Sequence, residues 1–181
     1  MKKNILIFGG ARSGKSSLAV NIAKRISKKV VFIATALPGD EEMRKRIKKH
    51  RASRPRHWKV VEDGKDIHHS LLCLDGKCEA VIIDCLGLFI ANLMGQGLED
   101  NAIMRKIKYL VDGIQKTKFM VIIVSNDVGG GIVPDNQAAR RFRDLLGSTN
   151  QLIAKEADEV VMMQAGIPLI IKGEKRYAVT E

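Results

Sequence analysis

The chain has 181 residues, of which 45% are hydrophobic, and its 31 Lys and Arg against 20 Asp and Glu give a formal net charge of +11. This length suits one domain with a substantial core, so residues 1–181 are predicted to form a single domain, and no apolar stretch is long enough to span a membrane. Three cysteines form no regular disulfide framework, and Met1 to Asn4 run straight into the first predicted strand instead of a signal peptide, so the protein is predicted to be cytoplasmic. The positive charge favours anionic ligands, whereas an aromatic content of only 4% argues against a nucleic-acid partner bound by base stacking.

A glycine-bearing loop follows the first predicted strand, the apolar run from Ile5 to Phe8. The loop reads G-x-x-x-x-G-K-S and precedes a helix-like segment, Ser17 to Ile26. In such a loop the backbone N–H groups and the helix N-terminus bind phosphate, the lysine reaches the outer phosphates and the serine hydroxyl ligates Mg²⁺. The pattern therefore predicts a nucleoside triphosphate site. This predicted phosphate loop consists of Gly9, Gly10, Ala11, Arg12, Ser13, Gly14, Lys15 and Ser16.

Further apolar runs with β-branched residues predict five more strands, and helical patterns lie between most of them. The runs are Val30 to Ala34, Lys59 to Val61, Ala80 to Ile83, Met120 to Val124 and Glu159 to Met163. Their alternation with helices predicts an α/β fold with a largely parallel sheet. Near the C-terminus, two short strands at Pro168 to Lys172 and Tyr177 to Thr180 are predicted to form an antiparallel edge hairpin around Gly173-Glu174.

Ligands of such sheets bind beyond the carboxyl ends of the strands. The segments at these ends are Thr35 to Gly39, Asp84, and Ser125 to Gly131, and we expect them to converge with the phosphate loop. Asp84 ends an apolar strand, and a carboxylate there commonly orients the Mg²⁺ of a phosphate loop. The alternative interpretation is that Asp84 caps the helix that follows.

The segment from Asp40 to Arg51 is predicted to be a helix, because acidic residues occupy its first turn and basic residues its last. Met43 and Ile47 share one face and His50 follows on that face, so the imidazole should point at the protein body. A neutral imidazole can attack an α-phosphate, and the basic neighbours can stabilise the departing pyrophosphate. The spacing equally suits a histidine packed at a helix end under a solvated basic face, which is the commoner arrangement.

Two other patterns leave their function open. His68, His69, Cys73 and Cys78 are all possible zinc ligands, but their spacing matches no zinc site, so no structural metal is predicted. The three glycines at 129–131 either allow a ligand to approach the backbone closely or form a mobile surface loop.

Taken in order, the motifs of this chain resemble the bifunctional adenosylcobinamide kinase / adenosylcobinamide-phosphate guanylyltransferase family of cobalamin biosynthesis, over essentially the whole length. The resemblance implies a RecA-like P-loop fold and association as a homotrimer. It rests on Gly9 to Ser16, Ile33 to Ala36, Asp40 to Met43, Arg46 to Pro55, Asp84 to Leu86, Ser125 to Pro134, Asn136 to Gly147, Asn150-Gln151 and Ala157 to Val160.

The resemblance also implies a two-step reaction. The enzyme would phosphorylate adenosylcobinamide with ATP or GTP, then transfer GMP from GTP to adenosylcobinamide phosphate through a GMP-histidine intermediate, giving adenosylcobinamide-GDP. The histidine falls on His50. The phosphate-loop pattern adds Lys15 as the other expected catalytic residue, with Ser16 and Asp84 as the expected Mg²⁺ ligands. Outside the phosphate loop, the nucleotide contacts would fall on Ala34, Thr35, Ala36, Arg51, Ala52, Ser53, Arg54, Glu62 and Asp84.

The chain departs from the family pattern at three positions. Gly87 stands where many members carry threonine, Asp127 stands where members usually carry glutamate, and the position of Asp84 is glutamate in some relatives. These differences bear on the kinase step rather than on guanylyl transfer.

The alternative functions are a simple P-loop small-molecule kinase without a covalent intermediate, a nucleic-acid-binding ATPase, and a GTP-binding switch. The last of these would need an N-K-x-D motif that Ser125 to Val128 lacks.

Overall fold

The computed structural model describes residues 3–39, 41, 44–45, 47, 51 and 54–174 of the chain. Within these residues the strands of the sheet are β1 (Ile5–Gly9), β2 (Val30–Ala34), β3 (Lys59–Glu62), β4 (Ala80–Asp84), β5 (Met120–Val124), β6 (Glu159–Gln164) and β7 (Ile167–Lys172). The helices packed on this sheet are α1 (Lys15–Ile26), α2 (Ile67–Leu72), α3 (Leu86–Gly95), α4 (Asp100–Lys116) and α5 (Gln137–Glu156).

The seven strands lie in the order β3-β2-β4-β5-β1-β6-β7. Neighbouring strands are parallel except β6 and β7, which form an antiparallel hairpin at the sheet edge. This arrangement confirms the predicted α/β class with a largely parallel sheet, flanking helices and an antiparallel edge hairpin. The first six strands agree with their predicted ranges to within one residue at each end.

The hairpin turns earlier in the chain than the sequence predicted. Its turn consists of Ala165 and Gly166, whose φ angles of +50° and +86° suit the two-residue turns that join antiparallel strands. The last strand therefore pairs with β6, which precedes it, and the predicted partner, Tyr177 to Thr180, lies outside the described residues. Ala-Gly is a weaker turn signal than Asn-Gly or Asp-Gly, so the sequence pattern did not reveal this turn.

The segment predicted as a helix from Asp40 to Arg51 is described only in part. Its described residues are all helical, namely Glu41, Arg44, Lys45, Ile47 and Arg51. An exposed ion pair joins Lys45 to Glu41 over 2.9 Å, a contact between positions four residues apart that is typical of a helix. Asp40, Met43 and His50 lie outside the described residues.

Both faces of the central strands are buried, and alternate residues enter different hydrophobic clusters. In β4, Val81 and Ile83 join the cluster formed with α2 to α5, whereas Ala80 and Ile82 join the cluster that packs against α1. Burial on both faces explains why these strands read as continuous apolar runs. Within the described part of the chain, no helix combines the length and apolar character needed to cross a membrane.

Candidate nucleotide-binding site

The register of the sheet brings the predicted site segments to one edge. Ala34 at the end of β2 pairs with Asp84 at the end of β4, and Asp84 in turn pairs with Val124 at the end of β5. The phosphate loop leaves β1 at the same edge, because Ile7 also pairs with Val124. Three strand ends and the phosphate loop therefore meet where ligands of parallel sheets bind.

The phosphate loop connects β1 to α1 through two glycines with positive φ. Gly9 has a φ of +148°, and a side chain there would collide with the carbonyl oxygen of Met163 on the neighbouring β6. Gly14 has a φ of +95° and forms the N-cap of α1, which begins at Lys15 instead of the predicted Ser17. Since no described side chain caps this helix, its first N–H groups can donate to a phosphate.

Lys15 is buried within the phosphate loop. Its Nζ donates to the Gly10 carbonyl oxygen over 2.5 Å and lies 3.5 Å from the Ser13 hydroxyl. Burial lowers the pKa of the Lys15 ammonium, while the nearby carboxylates of Asp84 and Asp127 act in the opposite direction. The predicted catalytic amine and the predicted metal-side carboxylate thus lie at the same edge of the sheet, close enough for their charges to interact, and the amine can contact a phosphate bound in the loop.

Ser16 and Asp84 have the donor chemistry that Mg²⁺ requires. The Ser16 hydroxyl lies in the first turn of α1 and the Asp84 carboxylate at the end of β4, and both residues are partly accessible. Mg²⁺ prefers oxygen ligands and commonly takes one or two from protein and the rest from phosphates and water. No group of three His, Cys, Asp or Glu side chains suited to a metal occurs among the described residues. The donor set therefore fits Mg²⁺ bound together with a nucleotide.

A groove with three arginines among its seven lining residues lies beside β3 and encloses about 400 Å³. Arg51 and Glu62, two residues of this groove that were predicted to contact the nucleotide, form an ion pair with each other. The guanidinium of Arg54 lies 3.4 Å above the centre of the Phe32 ring. We call this surface the arginine groove, and it is lined by Arg51, Arg54, Pro55, Arg56, Trp58, Val60 and Glu62.

Arg54 connects the arginine groove to the carboxyl end of β4. Burial lowers the pKa of its guanidinium, the charge of Asp84 opposes this effect and the charge of Arg51 adds to it. Its Nη1 is buried without a hydrogen-bond partner among the described residues. A buried guanidinium nitrogen of this kind can donate to an anionic ligand such as a phosphate. Of the neighbouring predicted site residues, His50, Ala52 and Ser53 lie outside the described residues.

A family model described as cobinamide kinase / cobinamide phosphate guanyltransferase matches residues 5–171. The chain belongs to this family. Membership confirms the family resemblance and the prediction of an enzyme of this class, a cobinamide kinase and cobinamide-phosphate guanylyltransferase.

Three relatives named bifunctional adenosylcobalamin biosynthesis protein match over almost their full length. CobP of Pseudomonas aeruginosa is 37% identical over an alignment of 173 residues that covers 93% of this chain and 97% of the relative. CobU of Escherichia coli is 36% identical over 181 residues, covering 93% of this chain and 99% of the relative. CobU of Salmonella typhimurium is 34% identical over 180 residues, again covering 93% and 99%.

Solved structures support the fold independently of the family match. A protein from Pyrococcus horikoshii OT3 superimposes with a TM-score of 0.57 at 12% identity, covering 96% of this chain and 88% of the other. A prototypical ATPase of a type III secretion system superimposes with a TM-score of 0.56 at 15% identity, covering 90% of this chain and 51% of the other. At these identities the likeness concerns the fold alone.

The sequence did not identify the polar contacts that hold the end of β5 in this member of the family. The Ser125 hydroxyl donates to Asn150 Oδ1 over 2.5 Å, and Asn150 Nδ2 donates to the Asn126 carbonyl oxygen over 2.9 Å. Asn126 Oδ1 also lies 2.9 Å from where a Cβ on Gly87 would be, so the glycine makes room for this amide. Ser125, Asn126 and Asn150 lie within the segments that carry the family resemblance, but only the folded chain shows that they contact one another.

Proposed function

We propose that this protein phosphorylates adenosylcobinamide with ATP or GTP and then transfers GMP from GTP to adenosylcobinamide phosphate through a GMP-histidine intermediate, giving adenosylcobinamide-GDP. The observation that carries this proposal is that the phosphate loop, with its buried Lys15, and the Asp84 end of β4 meet at one edge of the sheet. The arginine groove supplies a second basic surface, connected to the first through Arg54.

In the kinase step the phosphate loop binds the nucleotide. Its N–H groups and the N-terminus of α1 donate to the phosphates. Lys15, which donates to the Gly10 carbonyl oxygen in this structure, donates to phosphate oxygens of the bound nucleotide instead. Ser16 and Asp84 would hold Mg²⁺, which neutralises phosphate charge when bound. Most phosphoryl-transfer catalysis comes from such positioning and charge stabilisation, so the aminopropanol hydroxyl of the acceptor needs no covalent help from the protein.

In the guanylyl step His50 is the nucleophile. A ring nitrogen attacks the α-phosphorus of GTP, the bond to the pyrophosphate oxygen breaks, and GMP remains on the imidazole. The phosphate of adenosylcobinamide phosphate then attacks the same phosphorus and releases the histidine. Two in-line displacements predict retention of configuration at phosphorus. Arg51 and Arg54 lie close to His50 in the chain. The Nη1 of Arg54 is buried without a hydrogen-bond partner in the described part of the chain, which supports a role in binding the departing pyrophosphate.

The covalent step is tested by trapping the intermediate. The purified protein is incubated with GTP labelled at the α-phosphate, Mg²⁺ and no acceptor, then denatured, and the retained label is counted. We expect acid-labile, base-stable label on the unmodified protein and none on His50→Ala. His57→Ala is the matched control, because His57 is an exposed histidine of the same segment and should retain full labelling.

The same experiment separates the alternatives. Equal labelling of the His50→Ala and unmodified proteins would place the GMP on another residue. If the unmodified protein retains no label, the covalent mechanism fails and a simple P-loop small-molecule kinase takes its place. Phosphorylation of adenosylcobinamide should survive in His50→Ala, since a direct kinase step needs no histidine.

We also propose, from the family resemblance, that the enzyme is a cytoplasmic homotrimer.

A further inference from the structure

Thr35 makes two hydrogen bonds to the backbone of one residue fifty positions away. Its hydroxyl donates to the Cys85 carbonyl oxygen over 2.8 Å and accepts from the Cys85 N–H over 2.7 Å. Thr35 is completely buried. Cys85 directly follows Asp84, so these contacts lie beside the predicted metal-side carboxylate.

The Thr35 hydroxyl continues the pairing between β2 and β4 beyond the end of both strands. The regular ladder ends with Ala34 opposite Asp84, after which the Thr35 N–H donates to the Asp84 carbonyl oxygen over 3.1 Å. Past this point the Thr35 hydroxyl contacts both backbone polar groups of Cys85. The backbone on both sides of Asp84 is therefore held by β2.

The remaining polar group of Thr35 is also occupied within the protein. Its carbonyl oxygen accepts from Asn92 Nδ2 of α3 over 2.8 Å. Since its N–H, hydroxyl and carbonyl groups all have protein partners, the geometry favours an indirect contribution of Thr35 to nucleotide binding over a direct one. Cys85 also contacts the segment that follows β5, because its thiol donates to Asn126 Oδ1 over 3.4 Å. Burial raises the pKa of this thiol to about 12.

We propose that Thr35 is a positioning residue, whose hydroxyl holds the Asp84-Cys85 backbone so that the Asp84 carboxylate meets the Mg²⁺ of a bound nucleotide. This inference rests on the proposed role of Asp84. Thr35 touches neither metal nor phosphate in this scheme and acts through Asp84. Groups that orient a metal ligand typically change metal affinity by about 10- to 100-fold when they are removed.

The test measures equilibrium binding of a fluorescent, non-hydrolysable GTP analogue as a function of Mg²⁺ concentration and again in EDTA. Thr35→Val keeps the shape of the side chain and removes the hydroxyl. We expect it to raise the Mg²⁺ concentration for half-saturation by about tenfold or more. The affinity for the analogue in EDTA should stay unchanged, and Thr35→Ser should restore the original Mg²⁺ dependence.

Two controls accompany these variants. Thr149→Val makes the same change at another fully buried threonine, whose Oγ1 has no partner in the described part of the chain, and it should leave the Mg²⁺ dependence unchanged. Asp84→Asn, with Thr35 unchanged, should also raise the Mg²⁺ concentration for half-saturation. Thermal unfolding of every variant verifies folding, and Thr35→Ala takes the place of Thr35→Val if the valine variant does not fold.

Three results would overturn the proposal, and they have different meanings. If Thr35→Val loses affinity equally with Mg²⁺ and with EDTA, Thr35 acts on the nucleotide or on the fold and not through the metal. If Thr35→Val binds Mg²⁺ normally while Asp84→Asn does not, the positioning role fails but the proposed role of Asp84 stands. If Asp84→Asn also binds Mg²⁺ normally, the metal role of Asp84 fails and the inference fails with it.

Discussion

Gly9 and Gly10 are neighbours in the phosphate loop but have different steric surroundings. Gly9 has a positive φ, and a Cβ there would collide with the backbone of β6 at Met163. Gly10 has no positive φ, and a Cβ there would meet no atom within 4 Å. The loop therefore requires glycine at position 9, whereas position 10 has space for a larger residue.

Substituting alanine at each position tests this difference. Gly9→Ala should lower the free energy of unfolding by at least about 2 kcal/mol, because the backbone of β6 must shift and the φ is unfavourable. Gly10→Ala should leave stability unchanged or raise it by up to about 1 kcal/mol, because it restricts the unfolded chain. Urea unfolding of the nucleotide-free protein measures both changes. Equal losses in the two variants would contradict the steric explanation.

At the scale of elements, Asp63 organises the connection between β3 and α2. Its Oδ1 accepts from the backbone N–H groups of Lys65 over 2.9 Å and Asp66 over 2.8 Å, and its Oδ2 accepts from the Ser70 hydroxyl over 2.5 Å. Burial raises the pKa of Asp63, but these hydrogen bonds together with the charge of His69 outweigh it, and the pKa lies below its ordinary value. The ionised carboxylate therefore stabilises this connection.

The sign of the pH dependence follows from the lowered pKa. A carboxyl group with a lower pKa in the folded state contributes stability above its unfolded pKa of about 3.9 and loses it as the pH falls through the folded value. Asp63→Asn should therefore be less stable than the original protein by about 1 kcal/mol at pH 7, and the difference should shrink below about pH 4. Urea unfolding across this pH range measures it.

Asp112 provides the control for this prediction, because it is an exposed aspartate on α4. Asp112→Asn should change stability by no more than about 0.5 kcal/mol at either pH. A constant difference between Asp63→Asn and the original protein from neutral to acid pH would show that the carboxylate charge is not the stabilising feature.

At the scale of the whole molecule, the hairpin leaves an apolar edge on the isolated chain. Alternate residues of β7 are largely accessible, with exposed fractions of 61% for Ile167, 49% for Leu169 and 59% for Ile171. An apolar edge strand of this kind commonly pairs with or packs against another chain. This surface is a candidate for the contacts of the homotrimer that the family resemblance implies.

Sedimentation equilibrium tests the oligomeric state directly. We expect a mass three times the 20.0 kDa of one chain. Leu169→Lys should lower the average mass if β7 contributes to the interface, because a charge would have to be buried there. Ile26→Lys, at an accessible position on α1, is the control and should keep the mass of the trimer. A mass of one chain for the unmodified protein would contradict the trimer itself.

The fold was predictable from the sequence to the extent that it depends on local spacing. Apolar runs of strand length gave the bounds of the first six strands, and the phosphate loop identified the β1–α1 connection. The strand order was not predicted, because parallel neighbours such as β1 and β5 lie far apart in the chain and no local signal records their pairing. An edge hairpin near the C-terminus was expected, but its position was not, because Ala165-Gly166 is a weak turn signal in the sequence.

The sequence by itself determined the phosphate loop, the largely parallel fold and the family, because these depend on residue types at fixed spacing along the chain. Only the tertiary structure decided that Arg51 pairs with Glu62 and that Thr35 holds Cys85. These contacts join residues from different strands and loops, and they form because parallel pairing brings the carboxyl ends of distant strands to the same edge of the sheet.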